Sequence, residues 1–165
     1  IAQVSPKIFY NHQKNKIWYA GATVNLLIGY IRHNGIRKKD STIFCYPSIT
    51  DYATGCCVCM RSNEFDEIGM FDESFPMYCE DVDLSLRFKK AGKKVFYVPD
   101  SKVWHKVSYS IGGEFSINKW KIKQLGKFKL ISKHLNSLIV ILIFPLLVLL
   151  SLIELVMNSL IRWFR

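Results

Sequence analysis

Carboxylates gather in one stretch of an otherwise basic chain, Gly69-Met70-Phe71-Asp72-Glu73-Ser74-Phe75-Pro76-Met77-Tyr78-Cys79-Glu80-Asp81-Val82-Asp83-Leu84, with Trp104-His105 further on. Grouped this way, they suit chemistry beside a cation or a phosphate. Glu80-Asp81 stands where a helix should begin, and first-turn amides with the positive helix end favour an ionised carboxylate there. Such a carboxylate is a competent base. The competing reading is plain capping, in which Asp81 or Asp83 satisfies orphan amides. Asp81-Val82-Asp83 also has the Asp-x-Asp form that holds Mg²⁺ or Mn²⁺ through hard oxygen ligands, although three residues are a weak match. His105 beside Trp104 reads first as a structural residue and second as a ligand.

The elements that must position these residues follow from pattern and punctuation. Lys7 to Tyr10 and Ile17 to Ala20 read as strands of a hairpin around the polar segment Asn11 to Lys16, with Gly21 ending the second. Gly29 to Asp40 shows no period and reads as a mobile basic loop. Cys56 to Met60, after Thr54-Gly55, reads as a buried strand. Asn63 should cap a short helix, with Asp66 at its third position, Phe65 and Ile68 facing inward and Gly69 as its stop. A second helix is expected from Asp81 to Ala91, with Leu84, Phe88 and Ala91 on the inner stripe, Arg87, Lys89 and Lys90 toward solvent, and Gly92 as terminator. Val95 to Val98 should form a strand halted by Pro99, and Val103 to His105 another after the Asp100-Ser101 turn. Helices alternating with strands make the class α/β.

Charge narrows the partners. In 165 residues Lys and Arg number 23 against 13 Asp and Glu, a net charge of +10, which favours an anionic partner: nucleic acid, a membrane face or a phosphorylated substrate. Asp40 is the only acid of the first fifty residues, whereas eight acids lie between Glu64 and Asp83. A uniformly basic nucleic-acid binder has no need of that block. From Leu135 to Ile161 the only charged residue is Glu154, so this stretch is expected to span the membrane or insert into it. Lys119, Lys121, Lys123, Lys127, Lys129 and Lys133 precede it and Arg162 and Arg165 follow, which by the positive-inside tendency puts the globular part on the cytoplasmic side.

The chain opens Ile1-Ala2-Gln3-Val4, without Met or a signal pattern, and reads as a fragment. Cys45, Cys56, Cys57, Cys59 and Cys79 are an odd number of thiols for a cytosolic domain and are expected to be free. Cys56 and Cys59 do have metal-ligand spacing, and Cys45, Cys79 and His105 could complete a zinc site. The apolar run around them favours packing instead.

Thr54-Gly55, Arg61, Ile68-Gly69-Met70-Phe71-Asp72-Glu73, Tyr78-Cys79-Glu80-Asp81-Val82-Asp83-Leu84, Arg87, Ala91-Gly92, Val98-Pro99 and His105, in that order over residues 1 to 116, resemble the family 2 glycosyltransferases, in particular their rhamnosyltransferase-like branch. The resemblance implies an inverting, nucleotide-sugar-dependent transferase of the GT-A fold with Mg²⁺ or Mn²⁺ as cofactor. By the same resemblance Asp81 would be the general base and Glu80 its neighbour and understudy. His105 would lie near the donor diphosphate or its metal, and Thr54, Gly55, Asp72 and Glu73 would be acceptor-side positions. Family members begin with a nucleotide-binding half that this chain lacks, so Asp81-Val82-Asp83 matches the catalytic pair and not the metal motif. The expected layout is a partial GT-A domain over 1–116 (the acceptor and catalytic half), a basic juxtamembrane segment over 117–134 and a membrane helix over 135–161.

The implied partners are a nucleotide-sugar donor, a glycan or polyprenyl-linked acceptor, the cytoplasmic membrane and a separate N-terminal half, without which the chain would be inactive. Nucleic acid is not expected. Two other classes stay open: a catalytically dead, membrane-anchored glycan-binding remnant, and a basic membrane-surface or nucleic-acid binder using Trp120 and Phe128 among the lysines.

Overall fold

The computed structural model describes residues 1–75, 77–107 and 117–163, with side chains through residue 160. Pro76 of the acidic stretch, the boundary expected at residue 116 and the flanking Arg165 lie outside the described residues. The chain divides into two compact units: Ile1–Val24, Ile31–Phe75 and Glu80–Val107 form the first, and Asn25–Tyr30, Pro76–Cys79 and Ser108–Arg165 the second.

A five-stranded sheet organises the first unit. β1 (Gln3–Tyr10) runs parallel to β7 (Val95–His105) over its whole length, from Gln3 opposite Val95 to Tyr10 opposite His105. β2 (Ile17–Tyr19) pairs antiparallel with the end of β1, as the hairpin reading anticipates, and Gly21 follows at φ +82°. β6 (Cys59–Met60) pairs antiparallel with the start of β1, and β5 (Ser48–Ile49) closes the far side against β7. Ile8, Val95 and Tyr97 are buried on the interior strands β1 and β7, and Ile17 and Tyr19 are buried on the edge strand β2 beside them. α2 (Glu80–Lys90) lays Leu84 and Phe88 on Ala2, and Phe65 of α1 (Ser62–Glu67) and its C-cap Ile68 pack on the same cluster. Deep in this packing the Ser85 hydroxyl donates to Gln3 Oε1 at 2.7 Å and accepts from Ala53 N–H, fixing the rotation of α2 over β1.

Several expectations need correction. Tyr30–His33 form β4, paired with β3 (Ala22–Asn25) in a two-stranded sheet, where a basic loop was expected; Tyr-Ile-Arg-His alternates in exposure, a period hidden by its polar residues. Only Cys59 and Met60 of the run 56–60 are strand, and Cys56 and Cys59 are exposed, because Cys57 N–H closes a turn onto the Thr54 carbonyl. Asn63 lies inside α1, whose N-cap is Arg61. β7 does not stop at Pro99: Val98 faces Pro6 and Lys102 faces Lys7, so Pro99, Asp100 and Ser101 loop out of the ladder, where a missing N–H costs nothing. Ala91 lies beyond α2 and is exposed, while Arg87 is half-buried.

In the second unit, α3 (Ile117–His134) carries the lysines and α4 (Ser137–Trp163) the apolar run, with Phe128 and Phe144 rings 5.8 Å apart. Ser137–Leu160 is long and apolar enough to cross a membrane, with mean hydropathy 3.0. Its apolar side chains, Leu138, Ile141, Leu142 and Leu149 among them, are largely exposed. Glu154, the acid inside this run, accepts from Lys127 Nζ at 3.2 Å and Gln124 Nε2 at 3.1 Å, so its charge is paired with α3.

In the first unit, Lys7 is almost fully buried in β1 and donates to both Asp40 oxygens at 2.8 and 3.1 Å. Removing the carboxylate strands a buried ammonium. Asp40→Ala is therefore expected to lower the unfolding free energy by about 3 kcal/mol in urea titrations, and Lys7→Met in the same chain to recover most of it.

Candidate active site

Asp81 occupies the first turn of α2, and the turn before that helix is unusual. Tyr78 and Cys79 both have left-handed backbones, φ +66° and +71°, a conformation that costs an ordinary residue roughly 1–2 kcal/mol. Such strain persists only where surrounding structure holds it. It turns the chain so that Glu80 and Asp81 open the helix.

The Asp81 carboxylate is shared between two amides. Gly55 N–H donates to Oδ2 at 2.9 Å, and Val82 N–H donates to Oδ1 at 2.8 Å. Capping and base readings thus meet in one side chain, since an orphan helix amide is satisfied and the carboxylate is still presented. Burial raises the Asp81 pKa to about 6, with the neighbouring Glu80 charge adding and the Gly55 and Val82 amides opposing. A carboxylate so poised is ionised at neutral pH yet basic enough to accept a proton. Gly55 meets Asp81 through its backbone: a Cβ there would make ordinary contact with Asp81 at 3.6 Å. Thr54, buried beside it, accepts from Cys56 N–H at 3.4 Å and shapes the turn. Glu80 Oε2 is buried without a hydrogen-bond partner among the described residues, an acceptor facing no protein donor.

The other expected positions are less tightly joined. Asp72 Oδ1 accepts from the Ser74 amide at 2.9 Å and from the Ser74 hydroxyl, which builds its own turn. Glu73 beside it is exposed. This loop is anchored to α2 by Arg87, which donates to Asp83 Oδ2 at 2.9 Å and to the carbonyls of Ile68 and Met70 at 2.5 Å each. Arg87 was expected to face solvent; the spacing of four from Asp83 is the sequence signal for its real role.

His105 ends β7, half-exposed, its ring edge-on to Trp18 at 4.8 Å. Partial burial lowers its pKa, which favours neutral imidazole. No group of three or more His, Cys, Asp or Glu able to hold a metal occurs among the described residues, and all five cysteines are free thiols. The described residues therefore do not form a metal centre by themselves. His105 could add a single ligand to a cation held mainly by other groups.

Sequence reasoning missed the aromatic wall beside the site. A bulge between Ile8 and Phe9 leaves Trp18 without a partner in the ladder, and its ring meets His33 at 4.4 Å as well as His105. His33 also touches Tyr19 and Tyr52, and the Tyr19 hydroxyl donates to the Tyr52 carbonyl at 2.7 Å. Burial above all, with a contribution from the Asp81 charge, pushes the Tyr19 phenol well above its ordinary pKa, so Tyr19 stays a neutral donor near the carboxylate. Alternation along Trp18-Tyr19 shows that one of them is inside; nothing local shows that the inner one lies by Asp81.

A family model described as glycosyl transferase family group 2 matches residues 1–164. An N-acetylglucosaminyl-diphospho-decaprenol L-rhamnosyltransferase from two strains of Mycobacterium tuberculosis is 43% identical over 61 residues, 37% of this chain and 20% of the relative. Rhamnosyltransferase WbbL of Escherichia coli K12 is 30% identical over 82 residues, 49% of this chain and 31% of the relative. The chain thus matches a fifth to a third of the length of these curated relatives.

The Arg87 clamp yields a direct expectation. Arg87→Ala takes the guanidinium from the fully buried Asp83 and releases the 68–70 loop, so stability should fall by about 3 kcal/mol in denaturant titrations, and Arg87→Lys, which cannot fork to two carbonyls, by about half that.

Proposed function

The chain belongs to glycosyl transferase family group 2, and from that membership we propose that it provides the acceptor-side and base chemistry of an inverting sugar transfer from a nucleotide sugar to a lipid-linked glycan. The observation that carries this reading is the Asp81 carboxylate, held by two amides at a helix start with its pKa raised to about 6. In the proposed step the acceptor hydroxyl gives its proton to Asp81 while its oxygen bonds the anomeric carbon. The bond from that carbon to the diphosphate breaks on the opposite face, and the nucleoside diphosphate leaves with the electron pair. One displacement inverts the centre.

Glu80 sits beside the proposed base with one carboxylate oxygen that has no donor among the described residues, suited to a substrate hydroxyl. Thr54-Gly55 and Asp72-Glu73 are proposed to line the acceptor side. His105 is proposed to approach the donor diphosphate as a neutral imidazole. The family commonly uses divalent metals; Mg²⁺ or Mn²⁺, when bound, would offset charge on the diphosphate, and His105 is the residue here that could reach toward it. The fold assignment that accompanies this reading is the acceptor and catalytic half of a GT-A domain over residues 1–116. Nucleotide binding is assigned to the parts of the relatives that this chain does not match, supplied by further sequence or a second chain.

α4 favours an acceptor at the bilayer. We read it as a membrane span with the lysines of α3 beside the cytoplasmic headgroups, a tether that would raise the effective concentration of a polyprenyl-diphosphate acceptor. The mycobacterial relative, named for a diphospho-decaprenol substrate, is consistent with such an acceptor, and both rhamnosyltransferase relatives favour a rhamnose-type donor.

The test is transfer by the lipid-reconstituted chain, supplied with the nucleotide-binding portion of a relative, using UDP- and dTDP-sugars and a polyprenyl-diphosphate glycan. Asp81→Asn is expected to lower turnover about 10²–10⁴-fold with donor affinity unchanged. Wild-type turnover should rise with pH through about 6, because only ionised Asp81 accepts the proton, and this limb should vanish in the variant. Equal activity of the two proteins would return Asp81 to capping alone.

A further inference from the structure

A glycine in the middle of the helix α3 is a local cost, since glycine lowers helix stability relative to alanine, and it needs a reason outside the helix. For Gly126 the reason is the strained turn. A Cβ on Gly126 would stand 2.9 Å from the Tyr78 carbonyl oxygen and 3.5 Å from Cys79 Sγ, and the first of these is closer than real Cβ atoms come. One turn earlier on the same helix, Lys123 Nζ lies over the Tyr78 ring, 5.4 Å from its centroid. Gly126, Lys123, Tyr78 and Cys79 all belong to the second unit, and Cys79 passes into Glu80 by a peptide bond.

We propose that Gly126 is a positioning residue for the acidic pair: the close approach it permits lets α3 hold Tyr78 and Cys79 in their left-handed conformations, and these set the direction in which Glu80 and Asp81 leave the turn. Two consecutive left-handed residues that are not glycine relax unless something holds them. The α3 backbone at Gly126 is that support, and Lys123 adds a grip on the Tyr78 ring. The same helix is tied to the apolar helix α4 through the Gln124 and Lys127 bonds to Glu154. The apolar helix and the turn before the acidic pair are thereby braced by neighbouring residues of one element. The catalytic part of this inference rests on the reading of Asp81 as a base; the mechanical part does not.

The experiment is hydrogen exchange by mass spectrometry on the full chain in lipid nanodiscs, paired with transfer kinetics under the conditions above. Gly126→Ala, a single added methyl, is expected to raise amide exchange in residues 77–84 at least about tenfold, and Gly126→Leu further, with exchange in α4 unchanged. Lys123→Met, which leaves the helix packing intact, should give a smaller rise in the same peptide. Leu125→Ala, on the exposed face, should give none. In kinetics, Gly126→Ala should lower turnover by about tenfold with donor KM within about twofold, the split expected when the base is misaligned and donor binding is not.

Wild-type exchange at 77–84 in both Gly126 variants would overturn the proposal. Raised exchange with wild-type turnover would overturn the positioning role. Raised exchange in the variants, with no transfer even by the wild-type chain, would overturn the reading of Asp81 as a base and uphold the support of the turn by α3.

Discussion

A carboxylate withdrawn partly from water but still bonded to two amides is the interaction on which the proposed chemistry depends. Full exposure would leave Asp81 an ordinary acid, too weak a base to take a proton from a hydroxyl efficiently. Full burial without donors would keep it protonated. Gly55 and Val82 oppose the effect of burial, and the balance falls near neutrality. The rest of the first unit can be understood as the means of holding that balance.

The parallel pairing of β1 with β7 provides a rigid floor, and α2, joined to β7 by a short turn, is pinned to that floor by Leu84, Phe88 and the Ser85–Gln3 hydrogen bond. Because Ser85 also accepts from Ala53 N–H, the segment that carries Thr54 and Gly55 is fixed to the same helix as Asp81. The donor and the acceptor of the Gly55–Asp81 bond therefore do not drift independently. Arg87 repeats this arrangement for the loop leading to Asp72 and Glu73. Rigid elements hold the Asp81 carboxylate, and Arg87 ties the loop to the same helix.

Much of this was legible from residue types. The inner face of α2, the β1–β2 hairpin, the packing of Phe65 and Ile68 and the apolar run of α4 follow from period and punctuation, and these elements are long or sharply bounded. What escaped was mostly tertiary. β4 is a half-exposed edge strand whose alternation is carried by Tyr, Ile, Arg and His, residues that do not advertise a core. β7 crosses Pro99 because the ladder bulges there, which depends on where β1 lies. Cys56 to Met60 looks apolar enough for a strand, but the pull of Asp81 on Gly55 and the turn onto Thr54 decide otherwise. At the site, Glu80-Asp81 and Thr54-Gly55 stood out separately through the family resemblance, but the bond from Gly55 N–H to the Asp81 carboxylate could not be read from it. The left-handed turn at Tyr78-Cys79 and the aromatic wall of Trp18, His33 and Tyr19 were not legible either, since no local pattern marks backbone strain or a contact fourteen or more residues away.

The most direct test of this account is a titration of the Asp81 side-chain carboxyl itself, by ¹³C NMR on the chain labelled at aspartate and assigned against Asp81→Asn. A midpoint at about 6 is the predicted result. A midpoint near 4, the ordinary value for aspartate, would show that burial does not poise this group and would contradict its role as the base.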